Sequence, residues 1–233
     1  MTFSSKYDTI KNMSSYIKNS LNKLKQYSLY NNINILIKDS LPDNIDINQI
    51  IKKIEYIIPN HLVYNLDSIY IGNFEHLNDR EVGSIYEDGT IYVTNALFDE
   101  GQLIEHIVHE IAHLIEETSP DILYTDGKLE AEFLGKRTRL KRMIIHHGIN
   151  INHLDFSDPE FSQEMDEFLY KELGYDKLNN FTNGLFITPY AVTSLREYFA
   201  TALEDYYLNN KPHRVKDISP AIYKKLDYIN DMV

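Results

Sequence analysis

Cysteine is absent from the 233 residues. That excludes a disulfide framework, thiol nucleophiles and thiolate metal sites, so any zinc must be held by histidine and carboxylate. Tryptophan is absent too, while Asn, Ile, Lys and Tyr are heavily used, which points to an AT-rich coding sequence more than to a chemistry. Basic residues are scarce against acidic ones, 23 against 35, for a net charge of −12. Nucleic acid is therefore not an expected partner, because phosphate contact needs clustered Lys and Arg. The one basic run, Lys136, Arg137, Arg139, Lys141 and Arg142, falls in a helical pattern and is expected to be a solvated face. No apolar run reaches the length of a membrane span, so no membrane partner is expected. Met1 to Asp8 lacks a continuous apolar stretch, so no secretory signal is expected. The protein is placed in the cytoplasm of its producer, with packaging into a particle or non-classical export left open.

What the chain does contain is His109-Glu110-Ile111-Ala112-His113, an H-E-x-x-H motif inside a helical apolar pattern. Residues four apart share a helix face, so both imidazoles can bind one Zn²⁺, with Glu110 beside the metal as general base. Leu103, Ile104, Ile107, Val108, Ile111, Leu114 and Ile115 recur at three-and-four spacing, which makes one face core. Asp99 followed by Gln102 reads as a capping box, and Ser119-Pro120 ends the helix. His106 lies one turn earlier. Three His from one helix cannot surround a tetrahedral metal, so His106 is expected to be a neighbour rather than a ligand.

Along the chain, Ser4–Leu29 reads as a polar amphipathic helix and Ile33–Ile37 as a strand. Ile47–Ile58 reads as a helix and Leu66–Ile71 as a strand. Gly83–Glu87 and Thr90–Thr94 flank Asp88-Gly89 as a hairpin. After the motif, helices are expected over Lys128–His146, Asp158–Leu173, Thr193–Leu208 (capped by Thr193 or Ser194) and Ser219–Asp231. The order suits an α+β class with a zincin-like fold: a small N-terminal sheet with a hairpin, the H-E-x-x-H helix, and a mostly helical C-terminal half. Residues 1–60 form an N-terminal helical extension in this reading, and residues 61–233 the domain, with a helical insert at about 125–175. Thr90 to Asn95, just before the motif helix, is the candidate edge strand that receives substrate by β-augmentation.

A catalytic zinc needs a third protein ligand. The pattern H-E-x-x-H-x-x-G-x-x-H is excluded, because Glu116 and Ser119 stand where Gly and His are required. Glu116 and Glu117 are too close on the same helix to complete the site and are expected on a solvated face. Two carboxylates remain, Glu132 at a thermolysin-like spacing and Glu197 at the head of a later helix. Glu204 or Glu116 are candidates to orient a ligand His. His146, His147 and His153 have no carboxylate at helical spacing and read as a polar surface loop.

Tyr190 stands seven residues before Glu197, which opens Glu197-Tyr-Phe-Ala-Thr-Ala-Leu203. With the H-E-x-x-H motif, this resembles the catalytic-domain family of anthrax lethal factor and the Pro-Pro endopeptidases, over roughly residues 60–210. The chain departs from that family in a longer interval between His113 and Glu197, and in Ala112 where members often have Gly. The resemblance implies a gluzincin-type zinc endopeptidase. His109, His113 and Glu197 would bind Zn²⁺, Glu110 would take a proton from the metal-activated water, and Tyr190 would hydrogen-bond the developing oxyanion. The expected partner is a protein or peptide substrate.

Two other functions stay open on the sequence. One is a non-catalytic structural or interaction protein, such as a viral or phage-like particle component, although an intact Glu110 is not needed for metal binding alone. The other is a cytoplasmic regulatory protease of a mobile element, although no DNA-binding helix pair accompanies the motif.

Overall fold

The structure is a computed structural model that describes residues 24–209 and 212–232. It divides into two compact units. The first comprises the described residues up to Lys52 together with Leu66–His106, and the second comprises Lys53–Asn65 and Ile107 onward. Among the described residues, no helix is long and apolar enough to cross a membrane.

The first unit is built on a five-stranded sheet ordered β1-β2-β3-β5-β4. Its strands are β1 (Lys25–Leu29), β2 (Ile33–Ile37), β3 (Ser68–Gly72), β4 (Ser84–Glu87) and β5 (Thr90–Thr94). β1 and β4 pair antiparallel with β2 and β5, while β3 lies parallel to both β2 and β5. Parallel neighbours need crossovers. Helix α1 (Ile47–Ile57) lies in the connection from β2 to β3, and the short helix α2 (Glu75–Asp79) in that from β3 to the β4–β5 hairpin.

Strand alternation explains the two faces. Ile33, Ile35, Ile69, Ile71, Ile91 and Val93 are fully buried on one face, each contributing about 1.5–3 kcal/mol by leaving water. Tyr70 and Tyr92 stack on the other face, with centroids 5.6 Å apart. Asp88 and Gly89 both take positive φ, as the two-residue hairpin turn requires.

Two expectations are corrected in this unit. The Ser4–Leu29 helix lies outside the described residues over 4–23, and its end, Lys25–Leu29, is strand β1. Tyr30 and Asn31, both at positive φ, turn β1 back onto β2, and the resulting ladder overrides the weak helical spacing. Thr90–Thr94 is not an edge either: it is paired on both sides, and the edges of the sheet are β1 and β4.

Helix α3 (Glu100–Thr118) starts in the first unit and continues into the second. Its start is reciprocally capped, since Asp99 Oδ1 accepts from Gln102 N at 2.9 Å and Gln102 Oε1 accepts from Phe98 N at 2.9 Å. In the second unit α3 is followed by α4 (Pro120–Tyr124), α5 (Lys128–His146), α6 (Gln163–Glu167), a π-helical stretch Phe168–Gly174, and α7 (Tyr175–Thr182). Then come α8 (Leu195–Leu208), α9 (Pro212–Ile218) and α10 (Pro220–Asn230). The helix expected from Asp158 begins instead at Gln163, where Ser162 caps it, because the segment before it is drawn elsewhere: the Pro159 carbonyl accepts from Leu195 N at 2.8 Å.

The basic run is also corrected. Lys136 and Arg137 are buried on the inner face of α5 with Leu129, Phe133, Leu140 and Ile144. Lys136 Nζ donates to the carbonyls of Leu185, at 2.6 Å, and Ile218, and Arg137 Nη1 donates to the Asp158 carbonyl. Both cations also lie against aromatic rings, which partly replace the lost hydration. The pattern of charge alone could not show this, because two positions of the run coincide with the apolar stripe.

Candidate metal centre

Two helices of the second unit supply the site. α3 presents His109 and His113 one turn apart on one face, with Glu110 directly after His109 in the chain. α8 presents Glu197 in its first turn, where Ser194 Oγ accepts from Glu197 N at 3.1 Å and fixes the start of the helix. One atom from each of His109, His113 and Glu197 lies within 4.8 Å of the others, and no other such group of three occurs among the described residues.

The spacing of the donors suits a cation. His109 Nε2 stands 3.1 Å from Glu197 Oε2, and His113 Nε2 stands 3.6 Å from Glu197 Oε1. Donors about 2.0–2.1 Å from a tetrahedral Zn²⁺ are themselves about 3.3–3.4 Å apart, so the spacing fits. The other ring nitrogens are occupied: His109 Nδ1 lies 3.4 Å from Glu204 Oε2 and His113 Nδ1 lies 2.8 Å from Glu116 Oε2. A carboxylate on Nδ1 fixes the proton there and leaves the Nε2 lone pair for a metal. Glu197 Oε2 is buried without a hydrogen-bond partner, although an imidazole nitrogen is close to it. Two imidazole nitrogens and a buried carboxylate that converge on one point are what a cation site requires, and the residues fit one.

Charge in the metal-free site follows the same arrangement. Burial pulls both imidazoles toward the neutral form, but their carboxylates outweigh it. Glu197 and Glu204 hold His109 up at about 10, and Glu116 and Glu197 hold His113 up at about 9. Burial alone would raise Glu197; His109 and His113 instead hold it down at about 2.

Glu110 is buried, and its charge acts on both His109 and Tyr190. The Tyr190 ring lies 6.4 Å from that of His109, at the rim of the site and 40 % exposed. Partial burial of the phenol, then the Glu197 charge, push it above its ordinary value, so it stays a donor at neutral pH.

The candidates separate clearly. His109, His113 and Glu197 are brought together, with Glu110 and Tyr190 around them. Glu132 is used elsewhere, taking the Tyr198 hydroxyl at 2.7 Å and the Ala221 amide at 2.9 Å. Glu116, expected in solvent, is buried at 6 %, lying three residues after His113 on a shared helix face and held by His113, Tyr124 and Arg196. Glu117 is exposed, as expected. His106 meets Ser84 Oγ at 3.3 Å and lies against Gly83. His147 and His153 lie against Phe181 and Phe168, and His146 lies against His147.

The sequence missed Asp166 of α6, whose charge reaches Tyr190, and Tyr170 of the π-helical stretch, a neutral phenol acting on the same group. No local pattern marks a π-helix, and only the folded arrangement shows which of the 18 tyrosines lie near the site.

Compared with protein-family models, with curated proteins and with solved structures, the chain matches none.

Proposed function

We propose that this chain is a zinc-dependent endopeptidase on a zincin-like domain of gluzincin type, akin to the lethal factor and Pro-Pro endopeptidase family. The observation that carries the reading is the convergence of His109 Nε2, His113 Nε2 and the Glu197 carboxylate, with both Nδ1 atoms held by carboxylates and Glu110 beside them. Metal binding alone needs no such base, so the buried Glu110 favours catalysis over a purely structural zinc.

When bound there, Zn²⁺ supplies a Lewis acid that acidifies water and polarises a carbonyl. His109, His113 and Glu197 would hold the ion. Glu110 accepts a proton from the attacking water and returns it to the leaving amine as the C–N bond breaks. Tyr190, kept protonated, donates to the carbonyl oxygen as negative charge develops there.

The test is Glu110→Gln. The variant should keep one zinc per chain and lose peptide cleavage by about 10²–10⁴-fold. Equal turnover of wild type and variant on a broad peptide library would remove the catalytic role. Zinc binding with no turnover in either protein would favour a structural or interaction role.

A further inference from the structure

We propose that Glu116 is a positioning residue for the metal centre: its buried carboxylate takes the Nδ1–H of His113 and ties that ring to the helix presenting Glu197. The inference rests on the zinc reading above.

Three donors from three helices meet on this one carboxylate. His113 Nδ1 lies 2.8 Å from Oε2, and Arg196 Nε approaches the same oxygen at 3.4 Å. The Tyr124 hydroxyl donates to Oε1. The Glu116 side chain is only 5 % exposed. Burying a carboxylate costs folding free energy unless partners replace its hydration, and here each oxygen has one or more.

Each partner has a distinct consequence. A carboxylate accepts and does not donate, so a neutral His113 must carry its proton on Nδ1 and leave Nε2 free toward Glu197. Tyr124 holds the second oxygen, so the carboxylate cannot rotate away from the ring. Burial, then the Glu116 charge, push the Tyr124 phenol far above its ordinary value, so it remains a donor throughout the neutral range. Arg196 immediately precedes Glu197, so its contact fixes the first turn of α8 to α3 beside the third ligand. One side chain thus sets the tautomer of one ligand and the placement of another.

The experiment is zinc affinity, measured by chelator competition on the full chain, for wild type, Glu116→Gln, Tyr124→Phe and Arg196→Gln. Thermal unfolding of each metal-free protein runs alongside. A Gln can turn its amide N–H toward Nδ1 and so favour the tautomer that cannot ligate. Glu116→Gln should therefore bind zinc about 10–100-fold more weakly than wild type, and Glu116→Asp should recover part of the loss. Tyr124→Phe should raise the zinc dissociation rate several-fold with the fold retained. A folded Glu116→Gln protein that binds zinc within twofold of wild type overturns the proposal. If Glu116→Gln does not fold, wild-type affinity in both Tyr124→Phe and Arg196→Gln overturns it. Failure of wild type itself to bind zinc would reject the metal reading, a separate outcome visible in the same titration.

Discussion

His109 Nε2 stands 3.1 Å from Glu197 Oε2, yet that buried oxygen has no hydrogen-bond partner. The imidazole's other nitrogen faces Glu204, so its proton has a place away from Glu197. Two acceptors that face each other repel unless a proton or a cation lies between them. In the metal-free protein a proton can serve, which is why Glu197 holds both imidazoles well above the ordinary histidine range. A divalent cation serves better, because it meets all three donors at once.

Replacing Glu197 should therefore cost the metal, while replacing Glu132 should cost the fold. Glu197→Ala is expected to lose zinc at concentrations that saturate wild type. Glu132→Ala is expected to keep it, but to leave the Tyr198 hydroxyl and the Ala221 amide without their acceptor. Tyr198 is fully buried, so a loss of about 1–3 kcal/mol of stability follows from that hydroxyl alone. Metal content and denaturant unfolding of the two variants separate these outcomes. Zinc lost with Glu132 and kept without Glu197 would reverse the assignment.

Tyr190→Phe removes one hydroxyl at the rim of the site and should leave zinc affinity unchanged. If the phenol donates only as charge develops on the carbonyl oxygen, kcat should fall by about 10²–10³-fold with little change in KM. A rise in KM alone would make Tyr190 a substrate-binding residue.

What the sequence revealed and what it hid follow from the range of the interactions. The α3 helix, its Asp99 and Gln102 cap and the shared face of His109 and His113 were legible, because spacing within one helix fixes which side chains share a face. The sequence offered Thr193 or Ser194 as the cap of α8, and Ser194 is the residue that accepts from Glu197 N. Glu197 was not separable from Glu132 by the residues alone, since choosing between them depends on how α5 and α8 pack. The resemblance implied Glu197, and the structure groups Glu197 with the two motif histidines. Glu116 was read both as solvated and as a candidate to orient a ligand His; the structure places it against His113, and its partners Tyr124 and Arg196 come from other helices and were not visible. Strand β1 was misread because the helical spacing of the preceding residues was carried through it, while its pairing partner and the Tyr30-Asn31 turn become decisive only in the sheet.

His106 offers a check that the metal stops at two histidines of α3. A Cβ on Gly83 would fall 2.3 Å from His106 Cε1 and 2.6 Å from its Nε2, both inside any tolerable contact. Gly83→Ala must displace the ring or the start of β4, at a cost of about 1–3 kcal/mol. Zinc stoichiometry and affinity should not change. A parallel loss of zinc would show that His106 belongs to the metal centre after all.

The pH dependence of the metal-free protein has a sign that can be worked out. His109 and His113 titrate at about 10 and about 9 when folded, against an ordinary value of 6.5. Raised values mean that their stabilisation is fully present below pH 6.5 and is lost as pH climbs through 9 and 10. Glu197, at about 2 against 4.5, contributes above pH 4.5 and loses its contribution as pH falls through 2. Lys136 works the other way: burial lowers it from 10.5 to about 8, so its contribution makes the protein more stable as pH rises from 8 to 10.5. The interval from pH 6.5 to 8 therefore isolates the histidines. Across it, the thermal midpoint in chelator should fall, and apparent zinc affinity should rise, because each zinc must displace protons from the two rings. Calorimetry in buffers of different ionisation enthalpy should count up to about two protons released per zinc near pH 7. A flat chelated midpoint between pH 6.5 and 8, with zinc uptake that releases no protons, would show that Glu197 does not share a proton with either imidazole.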